Sequence, residues 1–327
     1  AHLLYIAATI AIGVIAATRV KNTSDFALAG RSLPLPMVIT ATFATWFGSE
    51  TILGLPGRFI ESGIAGVIEE PFGSGMALIL VGTFFAHKLY KQNILTLGDY
   101  YRDRYGRSVE LLCSVAIVIS YLGWVGAQVT ALGLVINLIT EGAVSMTTGM
   151  VIGAAVVLAY TMVGGMWSVA MTDFVQMIVI VVGLVAILWF ATDLAGGMDK
   201  VVDYARGRDL FHAFPEPTTT GWLFWISAAM TMMIGSIPQQ DVFQRVMSAK
   251  NLPTAVAGPI LGGSFYILFA FVPMFIVVAA ILVMPDAAEK MLSEDPQQLL
   301  PTLVRDYMPM WLRVVFFGAV LSAVMST

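Results

Sequence analysis

The stretch LPLPMVITATFATWFGSETILGLPGRFI, from Leu33 to Ile60, decides the fold. It is long enough to cross a membrane, since about 20 apolar residues span a bilayer. Near its middle lies a polar segment, Gly48–Thr51, which contains the carboxylate of Glu50. A charge at the bilayer centre costs on the order of 3 kcal/mol, and unwound backbone is tolerated there only inside protein or beside a water-filled cavity. The stretch therefore predicts a discontinuous helix that offers carbonyl oxygens and a carboxylate to a small polar ligand.

The composition of the chain is that of a polytopic helical membrane protein. Of its 327 residues, 58% are hydrophobic and 12% are charged, whereas soluble domains carry about 25% charged residues. The single cysteine, Cys113, excludes an intramolecular disulfide, and the net charge of −4 does not indicate nucleic-acid binding. The sequence has no metal-ligand cluster, phosphate-binding loop, nucleophile elbow or dinucleotide fingerprint. We therefore expect no enzyme.

Nine hydrophobic segments are predicted to span the bilayer. They cover about residues 3–18, 35–59, 64–86, 109–139, 146–163, 168–191, 222–237, 255–284 and 310–327. Alternate loops carry short basic clusters, such as Arg19–Lys21 and Arg102–Arg107, and the other loops are mainly acidic. Because basic loops stay in the cytoplasm, we expect a multi-pass protein of the inner (cytoplasmic) membrane with its N-terminus outside.

Six motifs, in order along the chain, together resemble the sodium:solute symporter family, which includes sodium-coupled sugar, proline and sialic acid carriers. They are SDFALAGRSLP (Ser24–Pro34), GSETILGLPG (Gly48–Gly57), TLGDYYRDRYGR (Thr96–Arg107), GGMWSVAMTDFVQ (Gly164–Gln176), PQQDVFQRVMSAKN (Pro238–Asn251) and SAVMST (Ser322–Thr327). Each motif alone is weak, but the six cover nearly the whole chain in the order of the family.

This resemblance implies an all-α transporter domain of two inverted five-helix repeats, the LeuT-like fold. Residues 1–33 are then an extra first helix and a cytoplasmic loop, residues 34–192 the first repeat, and residues 221–327 part of the second. The chain starts at Ala1 and ends at Thr327 within an apolar run. We interpret it as a piece of a longer protein, truncated at its C-terminus.

The resemblance also implies sodium as the coupling ion. The matching ligands are the carbonyls of Ala44 and Phe47 at the helix break, together with Ala323, Ser326 and Thr327 in the last segment. In the alternative interpretation, the two hydroxyls only bond back to carbonyls one helical turn earlier.

A second sodium site is implied at Asp173, which Ser322 and Ser326 would face. The alternative for Asp173 is a polar residue near a helix N-terminus, stabilised by the helix dipole.

Solute contacts are predicted around the break and on two neighbouring segments. The candidates are Trp46, Ser49, Glu50, Thr51, Glu70 and Gln128. Several have alternatives that remain open. Trp46 also fits core packing, Glu70 also fits the wet outer interface beside Glu69, and Gln128 also fits helix–helix packing.

Gln239 and Gln240 are candidate inner gate residues, or else only the end of a helix before a basic loop. Proline carriers have an aspartate where Trp46 stands, and sugar carriers have other gate residues where Met232, Gly235 and Ser236 stand. Neither proline nor sugar is therefore supported as the solute.

The predicted function is sodium-coupled symport of a small polar organic solute by alternating access. Two alternatives remain open at this point. One is the membrane sensory domain of a solute-sensing histidine kinase, which residues after Thr327 would decide. The other is proton coupling through Glu50, Glu70 or Asp173.

Overall fold

A computed structural model describes the backbone of residues 2–140 and 142–326, and within them every side chain except those of residues 2–8, Tyr160 and Ser326. These ranges are helical, and the β-type pairing found in them is an isolated parallel bridge between Leu33 and Ala249.

The helices of the first half are α1 (His2–Ala17), α2 (Thr23–Leu28), α3 (Leu35–Trp46), α4 (Leu55–Ser62), α5 (Ser74–Leu80), α6 (Ala86–Gln92), α7 (Leu97–Tyr105), α8 (Arg107–Ile139) and α9 (Met146–Leu194). Those of the second half are α10 (Met198–Gly207), α11 (Thr219–Gly235), α12 (Gln240–Ser248), α13 (Leu252–Phe269), α14 (Phe271–Val283), α15 (Pro285–Glu294), α16 (Leu299–Tyr307) and α17 (Met310–Ser326). Short tight or wide helical turns join some of them, at Ala29–Arg31, Glu50–Gly54, Ile64–Val67, Ile68–Gly73, Val81–Phe85 and Pro296–Gln298.

The predicted break in the stretch from Leu33 to Ile60 is confirmed. Helix α3 ends at Trp46, and Phe47 has φ −87° and ψ 70°, outside the helical region. The amide of Gly48 then donates to the Trp46 carbonyl at 3.1 Å, in place of a regular helical bond. A wide turn at Glu50–Gly54 leads into α4. The backbone is therefore irregular at the polar segment, and its hydrogen bonds depart from the helical pattern.

A second break lies at Glu70, where the sequence predicts one uninterrupted segment over 64–86. Glu70 has φ −139° and ψ 124°, an extended conformation between helical turns. The cause is Pro71, because a proline ring disfavours the helical conformation of the residue before it. The break separates the short turn at Ile64–Val67 from α5.

Helix α9 joins two segments that the sequence separates, 146–163 and 168–191. The backbone is helical on both sides of Gly165, which has φ 49° and ψ −141°. A Cβ atom at Gly165 would lie 2.3 Å from the Phe26 carbonyl oxygen, so only glycine fits this conformation and this contact. The two predicted segments are thus consecutive in space, with a kink at Gly165 between them.

Helix α9 is the centre of the packing. It contacts α1, α3, α8, α14 and α17, and α3 also contacts α17. On the opposite side of α3 lies α13, which also packs on α5. Aromatic side chains fill the space between α3 and α13, with Phe43 stacked on Phe47 at 4.8 Å between ring centroids and Phe47 edge-on to Tyr266 at 6.2 Å. The broken helix is therefore held between α9 and α13.

Close approach of α13 to α3 depends on small residues, as is common between membrane helices. A Cβ atom at Gly258 would lie 2.3 Å from Cγ1 of Val38. We expect Gly258→Ala to destabilise the fold by roughly 1–3 kcal/mol, because added atoms in a tight contact force the helices apart. The matched control is Gly126→Ala in α8, where no atom lies within 4 Å of the added carbon. Thermal unfolding in detergent should show a lower midpoint for the first variant only, and equal midpoints would contradict this packing.

The predicted number of nine spans is not confirmed. Within the described residues, four helices are long and apolar enough to cross a membrane: Ile64–Gln92, Arg107–Ile139, Thr161–Leu194 and Leu252–Val283. A fifth span results if Thr219–Gly235 and Gln240–Ser248, bent by 46° at their junction, are one unit. Three shorter apolar helices are Leu35–Trp46, Met146–Ala159 and Met310–Met325. Breaks and kinks shorten the helices, so length and composition alone leave some predicted spans unsupported.

Candidate functional site

Within the described residues, two of the cavities beside the helix breaks share the side chains of Trp124 and Met232. The first, the Glu70 cavity, has a volume of about 260 Å³ and is lined by Ser49, Glu50, Arg58, Glu69, Glu70, Trp124, Ala127, Gln128 and Met232. The second, the Trp46 cavity, has a volume of about 320 Å³ and is lined by Thr45, Trp46, Ser120, Tyr121, Trp124, Met232, Gln239, Asp241 and Arg245. Trp124 of α8 and Met232 of α11 belong to both linings, so these two side chains separate the cavities.

A hydrogen-bond network ties the two helix breaks together. The Tyr266 hydroxyl donates to Oε1 of Glu70 at 2.5 Å, and the Thr51 hydroxyl lies 3.2 Å from the same oxygen. Thr51 Oγ1 is also 3.3 Å from the Trp46 carbonyl oxygen, at the end of α3. Glu70 is only 6% exposed. Its carboxylate therefore links α13 to both irregular segments.

Ser49 and Gln128, which are 79 residues apart, meet across the Glu70 cavity. The Ser49 hydroxyl donates to Oε1 of Gln128 at 3.2 Å, and both residues are buried. Glu50, the next residue, forms an ion pair with Arg58 in α4. Both side chains of this pair are more than one-third exposed. The predicted solute residues Ser49, Glu50, Glu70 and Gln128 thus line one cavity.

Trp46 lies on the other side of that cavity wall and is 4% exposed. It combines the two interpretations that the sequence leaves open, since it packs in the core and also lines the Trp46 cavity. Thr51 is fully buried and lines neither cavity, so the structure gives it a linking position instead of an open one.

The two candidate gate residues differ in position. Gln239 lines the Trp46 cavity. Gln240 is absent from that lining, and its Oε1 accepts a hydrogen bond at 2.9 Å from the amide of Leu97, the first residue of α7. Since first-turn amides of a helix lack internal partners, Gln240 fastens α12 to α7. Beside it, Asp241 accepts a hydrogen bond from the Tyr121 hydroxyl of α8.

The candidate ion site is described in part. Ala44 and Ala323 are buried, on α3 and α17, which contact each other. Thr327 lies outside the described residues, as does the side chain of Ser326. The hydroxyl of Ser322 donates to the Gly318 carbonyl at 2.6 Å, which is the bond to the preceding turn that serine often makes in helices.

Asp173 on α9 stands out because it is fully buried and unpaired. Its exposure is 0%, and neither carboxylate oxygen has a hydrogen-bond partner among the described residues. The side-chain amide of Gln176, one turn further on, also lacks a partner there. Burying a carboxylate without compensation is strongly unfavourable. These oxygen donors therefore fit a bound cation such as sodium.

Several side chains in these cavities are absent from the sequence-based candidates: Arg58, Tyr121, Trp124, Met232, Asp241 and Arg245. Tyr266 is also absent from them, and it contacts Glu70 without lining either cavity. Two of these residues have a usable signal in the sequence. Asp241 directly follows the two candidate gate glutamines, and Met232 stands where sugar carriers have a gate residue. The others lie within apolar segments or far along the chain, where spacing does not indicate a shared cavity.

Broken helices around polar cavities, in a helical membrane protein, define the class of solute transporters. The sequence model of the sodium:solute symporter family matches residues 26–327, and the chain belongs to this family.

The chain is similar to named transporters. The high affinity choline transporter 1 of Homo sapiens is 28% identical over an alignment 337 residues long with gaps. The alignment covers 97% of this chain and 56% of the relative. The sodium/glucose cotransporter 4 of Danio rerio is 26% identical over 364 residues, covering 99% of this chain and 55% of the relative. The chain therefore spans about half the length of these relatives.

A solved structure shares the fold. It is a Na⁺-coupled sialic acid symporter in a substrate-bound outward-open state, with a TM-score of 0.85 and 20% sequence identity. The match covers 99% of this chain and 68% of that one. The family implied by the six motifs is thereby confirmed, as is an all-helical fold like that of a Na⁺ symporter.

Proposed function

We propose that the protein is a secondary active transporter that couples inward sodium flow to uptake of a small polar organic solute. The observation that carries this proposal is the pair of cavities that meet at Trp124 and Met232, beside two helix breaks. A solute held there is reached from one side through the Glu70 cavity and from the other through the Trp46 cavity. Closing one cavity while opening the other is alternating access.

In this proposal sodium binds between α3 and α17. The carbonyls of Ala44 and Phe47 provide ligands from the break, and Ala323, Ser326 and Thr327 provide them from the last helix. The non-helical ψ of 70° at Phe47 supports the first part. A second sodium binds at Asp173, whose buried and unpaired carboxylate supports that position. Ser322 would complete this second site after giving up its bond to the preceding turn.

The solute contacts residues of both cavities: Trp46, Ser49, Glu50, Glu70 and Gln128. Thr51 positions Glu70 through its hydroxyl. Gln239 forms the inner gate, and Gln240 holds the gate helix α12 against α7.

Orientation and repeat structure are part of the same proposal. Residues 34–192 form the first inverted repeat and residues 221–327 part of the second, after an extra first helix. The N-terminus is outside the inner (cytoplasmic) membrane, so that the Glu70 cavity faces outward. Nine membrane spans follow if the shorter apolar helices also cross.

Sodium drives the cycle only if it binds one conformation more tightly than the other, because equal affinities shift no equilibrium. The sodium site between α3 and α17 meets this condition if a movement of α3 relative to α17 separates the carbonyl ligands on α3 from the hydroxyl ligands on α17.

A thermal-shift screen of the purified complete gene product tests the proposal. Amino acids, carboxylates, sugars and amines are each added with sodium and with potassium in its place. A ligand that binds the folded state raises the unfolding midpoint, because it stabilises that state by RT ln(1 + L/Kd), where L is the free ligand concentration. We expect the solute to stabilise the protein in sodium and much less in potassium. Equal stabilisation in both salts, or stabilisation that depends on pH alone, would contradict sodium coupling.

A further inference from the structure

The charges lining the Glu70 cavity are unbalanced. Three carboxylates, those of Glu50, Glu69 and Glu70, face it with one guanidinium, that of Arg58. Arg58 is already paired with Glu50. In the part of the chain that the structure describes, no basic side chain lies within ion-pair distance of Glu69 or Glu70. The cavity therefore has an excess of negative charge.

Within the described residues, only one oxygen of the Glu70 carboxylate accepts hydrogen bonds. Both of its recorded hydrogen bonds, from Tyr266 and Thr51, end on Oε1. Among the described residues, no hydrogen bond ends on Oε2, although Glu70 lines the cavity and is only 6% exposed. The hydrogen bonds to Oε1 fix the orientation of the carboxylate. Oε2 is therefore held in place and available to a ligand.

The adjoining Trp46 cavity is aromatic. Trp46, Tyr121 and Trp124 line it, and the carboxylate-bearing residue Asp241 lies among them. The faces of aromatic rings attract cations, by about 0.5–1 kcal/mol when exposed and about 2 kcal/mol when water is excluded. Trp124 lines both cavities, so a solute that moves from one to the other passes this ring.

Arg245 is the one basic residue in the lining of the Trp46 cavity, and Asp241 lines the same cavity. The Nη1 of Arg245 donates to the Asp241 backbone carbonyl at 3.3 Å. An anionic solute near Arg245 would meet Asp241 in this cavity, and Glu69 and Glu70 in the other. Like charges along such a path select against anions.

We infer that the solute is a small organic cation, an alkylammonium ion. Its charged head lies between the Trp46 and Trp124 rings, and Glu69 and Glu70 attract it into the site. This inference rests on the proposed transport function and names the class of solute that it carries.

Binding of matched probes tests the inference on the complete gene product in sodium. The probes are tetramethylammonium and choline as cations, the neutral tert-butyl analogue of choline, and glycine betaine as a zwitterion of similar size. We expect at least one cation to bind about tenfold more tightly than both the neutral analogue and the zwitterion, which equals about 1.4 kcal/mol. If neither cation binds more tightly than both comparison probes, the inference is wrong.

Variants at Trp124 separate ring electrostatics from packing. Trp124→Phe keeps an aromatic face, whereas Trp124→Leu keeps an apolar side chain without one. We expect the leucine variant to lose the preference for the cation over the neutral analogue, and the phenylalanine variant to keep most of it. Trp222→Leu on α11, outside both cavities, is the matched control and should leave the preference unchanged. A leucine variant with full preference would contradict a role for the ring.

Failure of this inference is distinguishable from failure of the proposed function. Sodium-driven uptake of a neutral solute, without cation preference, overturns the inference and leaves sodium coupling in place. Tight cation binding that is indifferent to sodium, with no gradient-driven uptake, supports the cationic site and overturns coupled transport.

Discussion

Replacing Asp173 by asparagine is expected to raise the sodium concentration needed for half-maximal uptake by about tenfold or more. The carboxylate is fully buried, and neither oxygen has a partner among the described residues. Removing one partner of a buried pair of opposite charges costs about 3–5 kcal/mol, and each 1.4 kcal/mol is about a factor of ten in affinity. Uptake measured over a range of sodium concentrations gives the shift directly.

Two comparisons make this experiment decisive. Asp193→Asn removes the same charge from the exposed end of the same helix and should leave the sodium requirement unchanged. In sodium-free buffer, Asp173→Asn should unfold at the wild-type temperature or higher, because it removes an uncompensated buried charge. An unchanged sodium requirement in the variant would mean that Asp173 is not an ion ligand.

Replacing Glu70 is expected to have the second largest effect on uptake. Two variants separate the loss of its charge from the loss of its hydrogen bonds. Glu70→Gln keeps an oxygen that accepts from Tyr266 and Thr51 but removes the negative charge. We expect it to lower uptake about tenfold or more, with an unfolding temperature close to that of the wild type. The reason is that a charge-assisted contact to solute is lost, worth about 1.5–3 kcal/mol.

Glu70→Ala removes the acceptor as well. The hydroxyls of Tyr266 and Thr51 are then buried without the partner that joins the two breaks, at about 1–3 kcal/mol for each unsatisfied group. We therefore expect both loss of uptake and a lower unfolding temperature. Glu61→Gln, on the exposed end of α4, is the control and should change neither. Normal uptake by Glu70→Gln would contradict a solute-binding role.

The break near Gly48 was predictable because the signal is local. A glycine and a carboxylate inside a membrane-length apolar stretch are both unfavourable in a continuous helix, so the sequence itself marks the position. The break at Glu70 depends equally on a local cause, the following Pro71, but IEEP also reads as a polar turn near the interface. Sequence patterns did not separate these two possibilities.

The contacts that form the cavities join residues that are far apart in the sequence. Ser49 meets Gln128 over 79 residues and Tyr266 meets Glu70 over 196, and no periodicity within one helix indicates such pairs. Arg58 shows the same limit, since its pairing with Glu50 requires the wide turn at Glu50–Gly54. The number of spans stays unconfirmed, because the interruptions at Phe47 and Gly165 leave some apolar helices too short to cross a membrane by length and composition alone.

Solute uptake by proteoliposomes under an imposed sodium gradient tests the central claim most directly. The complete gene product is reconstituted, and uptake of the solute found by thermal shift is followed with sodium outside, with equal sodium on both sides, and with a proton gradient only. We predict accumulation above the external concentration in the first condition and simple equilibration in the second. Uptake that ignores sodium and follows the proton gradient would contradict the account.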